Sequence, residues 1–330
     1  MLPELLAFAL LYVVAAGVVQ LLAALPVAAA AESLPEDNPD AAGRFWSAAS
    51  LLAPASALPL TAACLLLARS DMVTPHLERV RPHICAHPLL ERPDADWHFR
   101  VAGIIALSLI AFALARFLWR WVSSVRVERL AAAHTGEGEV PVLVAHGDEP
   151  ACFTVGLHKG FVIVSRGMVE LLSDQQRKAL IAHETAHVRR RDNLRHLVLE
   201  LCATLSALAP IGFLYAYRWR AAAEAACDRA AAQVSSPETV AETLQLVEQA
   251  TGGHRPEWPE GLNPVYYGGV SPTRRVARLT TPTSPQVAPP LKVVLAAEAI
   301  VLFAVTLLAR RPLLDSLFCA GETVLKGMGG

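Results

Sequence analysis

Several things are scarce in this chain of 330 residues. Aromatic residues make up 6%, charged residues 18%, and the formal net charge is −1. A near-neutral balance gives no reason to expect a nucleic-acid partner. The six cysteines (Cys64, Cys85, Cys152, Cys202, Cys227 and Cys319) form no CxxC pair and no framework spacing. That argues against a disulfide scaffold and against a structural zinc ribbon. No internal repeat is visible. The first apolar run has no basic segment ahead of it and is too long for the core of a cleaved signal peptide, although Ala28-Ala29-Ala30 offers a cleavage-like site. An uncleaved span is the reading that follows.

What is present is apolar. Hydrophobic residues reach 54%, mostly Ala, Leu and Val, gathered in long uncharged runs. Such runs point to membrane helices, since about 20 apolar residues cross a bilayer. Spans are predicted over about 5–31, 46–68, 101–121 and 293–308. Pro54 and Pro59 should kink the second. Arg116, Trp119, Arg120, Trp121 and Arg126 make an interfacial belt at the end of the third. The polar loop over 69–100 contains His83, Cys85 and His87, with His98 following. That cluster could hold a metal, but no fourth ligand is fixed by spacing, so an ordinary loop is the simpler reading.

The stretch with the clearest chemistry is Ala182-His183-Glu184-Thr185-Ala186-His187. It reads HExxH within a helical pattern. Positions i and i+4 share a helix face, so two imidazoles can grip one ion. Glu184 then points at the ion's open position as a general base, the arrangement of a zinc hydrolase. Ser173 and Gln176 form a capping box that starts this helix. Leu172, Leu180 and Ile181 give it an apolar stripe.

A third ligand is available downstream. Glu224 and Asp228 are again i and i+4, on an alanine-rich helix that permits close approach. Glu224 completes a His2Glu set, and Asp228 can accept the free N–H of a ligand histidine. This placement constrains topology. The largely apolar segment 197–217 lies between His187 and Glu224. One full crossing would put Glu224 on the opposite side of the bilayer from both imidazoles. The segment must therefore dip and return, turning near Ala209–Gly212, or pack along the protein. Glu200 within it also disfavours exposure to lipid.

Around these lie weaker signals. Residues 140–145, 153–157 and 161–165 read as short strands. One strand beside the metal could hold an extended substrate backbone; an ordinary covering sheet is the alternative. Arg189-Arg190-Arg191-Asp192 is a solvated helix turn on the simpler reading, while the sharper reading has Asp192 or an Arg steadying the site. Helices are expected from near Ile211 to Gln233 and from about Glu238 to Ala250. Residues 251–290 read as a linker or lid rich in Gly, Pro, Ser and Thr, with a basic amphipathic piece over Arg274–Leu279. Glu298 in the last span reads as a packed, neutral residue.

HETAH, RRRD, a hydrophobic segment with a proline and EAACD, preceded by FTVGLHKGFVIVSRG and LLSDQQRKALIAHE, together resemble peptidase family M56, the membrane metallopeptidases of beta-lactam sensor-transducer (antirepressor) type. The likeness covers roughly residues 100–310 and is strongest over 150–230. HtpX and the CAAX-prenyl proteases (family M48) are more distantly similar and use the same ligand set. The resemblance implies a mainly α integral membrane protein with a small α+β zincin-like metallopeptidase domain. It implies one zinc ion per chain held by His183, His187 and Glu224, Glu184 as general base and Asp228 as a partner behind the ligands. The expected organisation is a membrane region over 1–122, a catalytic domain over 123–290 and a last span with a short tail over 291–330. The expected function is zinc endopeptidase action in the lipid bilayer on a protein substrate, either a transcriptional repressor or a membrane protein. A quality-control protease and a non-catalytic signalling scaffold are the alternatives; the intact Glu184 speaks against the scaffold. No penicillin-binding domain follows the last span, so direct beta-lactam sensing is not expected. Positive charge is nearly balanced between the two sides. The cytoplasmic placement of the catalytic part rests on the resemblance.

Overall fold

The computed structural model describes residues 2–35, 38–69, 97–132, 140–251 and 271–280. The apolar segment 293–308 and the His83, Cys85, His87 cluster lie outside the described residues. Three long helices come first: α1 (Leu2–Glu32), α2 (Pro39–Arg69) and α3 (Trp97–Ala132). Their windows Leu5–Glu32, Pro39–Ala62 and Arg100–Arg129 are long and apolar enough to cross a membrane. α1 packs on both others through mostly small residues, Ala9 and Ala16 meeting Ala57 and Ala106 beside Tyr12 and Val13. Large side chains such as Leu22, Leu25, Leu58, Ile105 and Phe112 face outward. Small residues inside and large ones outside suit lipid, where close helix approach, and not apolar burial, holds helices together. Gly103 makes one such approach possible: a Cβ there would sit 2.9 Å from Leu6 Cβ.

Two helices exceed their predicted spans. α2 begins at Pro39, not 46, and α3 runs to Ala132, not 121. Hydropathy finds the apolar part of a helix, and these polar ends continue beyond it. α2 stays helical through Pro54 and Pro59. The Tyr12 hydroxyl of α1 donates to the Pro54 carbonyl at 3.3 Å.

A three-stranded sheet follows, with order β1-β3-β2. β1 (Val142–Ala145) runs parallel to β3 (Phe161–Ser165), with Val142 opposite Val162. β2 (Cys152–Val155) runs antiparallel to β3, with Phe153 opposite Ile163. The run FVIVS is buried throughout, as a central strand covered on both faces should be. One face, with Val155, Phe161 and Ile163, packs on Val127 of α3. The other, with Val164, packs on Met168, Leu172 and Leu180. The β2–β3 turn is tied to α3, because Glu128 accepts from the backbone N–H groups of Leu157 and of His158, the latter at 2.7 Å. Gly156 sits there at φ 99°. A Cβ would fall 2.9 Å from both Glu128 Oε1 and Gly160 Cα, so glycine is required on two grounds. A short helix α4 (Arg166–Leu171) was not foreseen; the Ser165 hydroxyl starts it by accepting from Met168 N–H at 3.1 Å.

The remaining helices are α5 (Asp174–Arg190), α6 (Asp192–Leu205), α7 (Ile211–Val234), α8 (Pro237–Thr251) and α9 (Pro272–Thr280). α6 and α7 form a hairpin that reverses over 206–210, a little before the expected turn. Near its tip, Leu205 packs on the Tyr12 cluster and Leu208 reaches Gly17, where a Cβ would lie 3.0 Å from its own. Farther back, Ile211 and Tyr215 meet Ala24 and Ala49, then Trp219 meets Trp46. The hairpin thus lies along α1 and α2, from mid-α1 to the start of α2. Glu200 is paired with Arg116 at 3.3 Å and with Arg120 of α3. That gives the charge a partner inside an apolar segment, where an unpaired one would be costly.

Candidate metal centre

α5 presents the HExxH residues from a well-defined start. The Ser173 hydroxyl accepts from Gln176 N–H at 3.4 Å, and the Gln176 side chain accepts from Ser173 N–H at 3.1 Å. Ala179 and Leu180 bury one face, and His183 and His187 emerge buried on the side facing α7. At its C-terminus, Arg191 adopts φ 55°, ψ 43°. This left-handed residue turns the chain straight into α6, so that Asp192 folds back beneath His187.

The three expected ligands are brought together. His183 Nε2 and His187 Nε2 are 3.2 Å apart. Glu224 Oε2 lies 3.5 Å from the first and Oε1 lies 3.7 Å from the second. Ligand atoms around one tetrahedral zinc, each about 2.0–2.1 Å from it, are separated by about 3.3–3.4 Å. The observed triangle is close to that size. Glu224 is 1% exposed, and among the described residues its Oε1 accepts no hydrogen bond, while Oε2 is ion-paired with a single guanidinium, that of Arg275. A buried carboxylate aimed at two imidazole nitrogens, with one oxygen left to a single guanidinium, is what a further cation would satisfy. The residues therefore fit a zinc ion.

Each histidine turns its other nitrogen to a carboxylate. His183 Nδ1 is 3.2 Å from Asp228 Oδ1, and His187 Nδ1 is 2.9 Å from Asp192 Oδ2. A carboxylate at Nδ1 places the ring proton there and leaves Nε2 as a lone pair for metal. Asp228 stands where the sequence reading put it. Asp192 takes the steadying place that the sequence left open against a solvated turn, and it is 2% exposed.

Arg275 of α9 was missed altogether. Its Nε and Nη2 grip both oxygens of Asp228, at 3.0 and 2.5 Å, and its Nη1 is 2.9 Å from Glu224 Oε2. The only sequence signal was a basic amphipathic piece in a presumed linker. The electrostatics follow this arrangement. Burial would raise the Glu224 carboxyl, but the Arg275 charge and the imidazoles outweigh it and hold it at about 2. Asp228 is likewise held well below the ordinary carboxylate range, burial opposing and Arg275 leading the opposite effect. Burial and Arg275 push His183 down, yet its contacts with Asp228 and Glu224 prevail and bring it to about 9. The pocket is thus built to hold positive charge. Glu184, half-buried, is pushed up by burial and partly restrained by His183 and His187. A raised carboxyl suits a group that must take up a proton.

Residues 120–249 match the model of peptidase family M48. No curated protein and no solved structure matches the chain. The matched stretch contains the three strands, α4 to α7 and most of α8, and with them His183, Glu184, His187, Glu224 and Asp228. This match supports a metallopeptidase of M48 type, with the proteolytic activity and the zinc dependence typical of such enzymes; it is to the family that the sequence resembled more distantly, and not to M56.

Proposed function

We propose that this chain is a membrane-anchored zinc endopeptidase whose centre is His183, His187 and Glu224, with Glu184 as general base. The observation that carries the reading is the near-tetrahedral triangle of two Nε2 atoms and a buried carboxylate. Zinc held there would supply Lewis acidity toward a peptide carbonyl and lower the pKa of a water toward about 7. Glu184 takes a proton from the attacking water and passes it to the leaving nitrogen. Asp228 and Asp192 keep the imidazoles in one tautomer throughout.

β2 is an edge of the sheet and packs against α5. The bond from Ser165 N–H to the Ala151 carbonyl makes 151/165 and 153/163 the bonded pairs, so the backbone of Cys152 and Thr154 faces outward. Asn193 already occupies the Thr154 carbonyl at 3.3 Å. Cys152 is then the position where an extended substrate would pair.

The substrate reading favoured here is a membrane protein handled in HtpX-like quality control, because the family match is to M48. Cleavage of a repressor, as in M56, is supported by the HETAH, RRRD and EAACD resemblance over 150–230. Proteomics of membranes and cytosol with wild type against Glu184→Gln tests both. Peptides arising only with wild type from damaged membrane proteins fit the first, and from one soluble repressor the second. Glu184→Gln should keep its zinc and lose cleavage; equal activity would remove the mechanism. His187→Ala should lose the metal by elemental analysis.

A further inference from the structure

We propose that the N-terminal hairpin of α1 and α2 is part of the metal centre, holding His187 in place through Asp40, Arg190 and Asp192. The inference rests on the His183, His187, Glu224 site and extends it to a helix the family match does not contain. Matching begins at residue 120, and Asp40 is the second residue of α2.

The chain of contacts is continuous. Asp192 Oδ2 faces His187 Nδ1 at 2.9 Å and accepts from Arg190 Nε at 3.2 Å. Arg190 donates through Nη1 to Asp40 Oδ1, across 150 residues of sequence. A carboxylate as buried as Asp192 needs a cation at hand to keep its orientation. Its other neighbours do not supply one at bonding distance. Arg195 Nη1 is 3.8 Å from Oδ1, and that oxygen accepts no hydrogen bond among the described residues. Cys227 Sγ, at 3.8 Å, is a weak donor. Arg190 is therefore the cation that is paired with Asp192 and holds its Oδ2 in place.

Arg190 itself stands at the last position of α5, where side chains have many rotamers open to them. Asp40 selects one. It lies in the first turn of α2, where the helix dipole favours a carboxylate, and it receives the outer end of the guanidinium while Nε stays on Asp192. A fork with fixed N–H directions can bridge two carboxylates in this way. Asp40 and Arg190 are thus positioning residues that act on the metal through His187. The membrane hairpin sets the orientation of one ligand.

The test is zinc affinity of the full chain in detergent or nanodiscs, by competition with a chelator, together with the visible spectrum of the cobalt-substituted protein. Loss of a carboxylate behind a ligand histidine typically costs 10–100-fold in metal affinity, so Asp192→Asn should weaken zinc by about that factor. Asp40 is half-exposed, so Asp40→Asn should not threaten folding. It should weaken zinc several-fold and alter the cobalt bands, with Asp40→Glu restoring both. Arg190→Lys should fall between wild type and Asp192→Asn. Asp174→Asn, which breaks only the exposed pair with Arg177 on the same helix, should change nothing. Wild-type zinc affinity and an unchanged cobalt spectrum in Asp40→Asn overturn the proposal even if Asp192→Asn is impaired. Failure of the underlying site would look different: His187→Ala would then bind zinc like wild type.

Discussion

Arg191 holds the one positive φ outside glycine among the described residues, and it does so between two residues with roles in the site. Left-handed backbone costs a residue with a Cβ about 1–2 kcal/mol. Here it closes α5 and aims Asp192 back at His187. Replacement by glycine removes that strain but adds freedom to the unfolded chain, roughly 0.5–1 kcal/mol in the opposite sense. Arg191→Gly should therefore lie within about 1 kcal/mol of wild type. Arg191→Val, whose branched Cβ tolerates this region poorly, should lower thermal stability clearly and weaken zinc as Asp192 shifts. Equal stability in the valine variant, by thermal denaturation, would show that the turn relaxes without cost. At this scale the sequence is readable only where spacing along one helix does the work. His183 with His187, and Glu224 with Asp228, are each i and i+4. Asp40 and Arg275 reach the site from elements far away in sequence, and no periodicity says which arginine of a basic helix points inward.

α9 shows the same limit for an element. Its pattern marked it as amphipathic, and its position in a Gly- and Pro-rich stretch suggested a linker or lid. The structure packs it on α8, with Leu279 near Ala179, Ala231 and Val240. Arg278 donates to the Ala221 carbonyl at 3.4 Å, and Arg275 enters the carboxylates. By contrast α7 and α8 fell close to their predicted bounds and α5 began where its capping box put it, because the capping box, the alanine-rich face and the local turn residues are all local signals. Removing Arg275 leaves Glu224 and Asp228 buried with one cation fewer. Breaking a buried pair from one side costs about 3–5 kcal/mol, and zinc can offset only the share that belongs to Glu224. Arg275→Met should therefore lower the melting temperature in chelator by several degrees, and zinc should raise it by more in the variant than in wild type. An identical zinc-induced rise in both proteins would mean that Arg275 and the metal do not share the Glu224 carboxylate.

For the whole molecule the decisive question is where the α6–α7 hairpin stops. Three side chains on two helices must meet at one ion, while a largely apolar segment separates them in sequence. The reversal over 206–210 resolves this. The tip meets Gly17, midway along α1, and the base lies at the start of α2, where a Cβ at Gly43 would be 4.0 Å from Ala222 Cβ and where Arg190 of α5 reaches Asp40. If α1 and α2 cross the bilayer, the tip is then about halfway through it and the metal centre lies at one face, beside the ends of the helices. Gly17 makes the fit: a Cβ there would approach Leu208 Cβ to 3.0 Å. Gly17→Leu should push the tip away, costing about 1–3 kcal/mol by overpacking, and should loosen the α7 ligand along with it. Depth can be read directly. In sealed vesicles, a membrane-impermeant maleimide should spare cysteine placed at Leu208 from either side. It should label cysteine placed at Asp174 from the side that holds the centre. Reaction at position 208 from the face opposite to 174 would mean that the segment crosses, and Glu224 could then not share an ion with the two histidines.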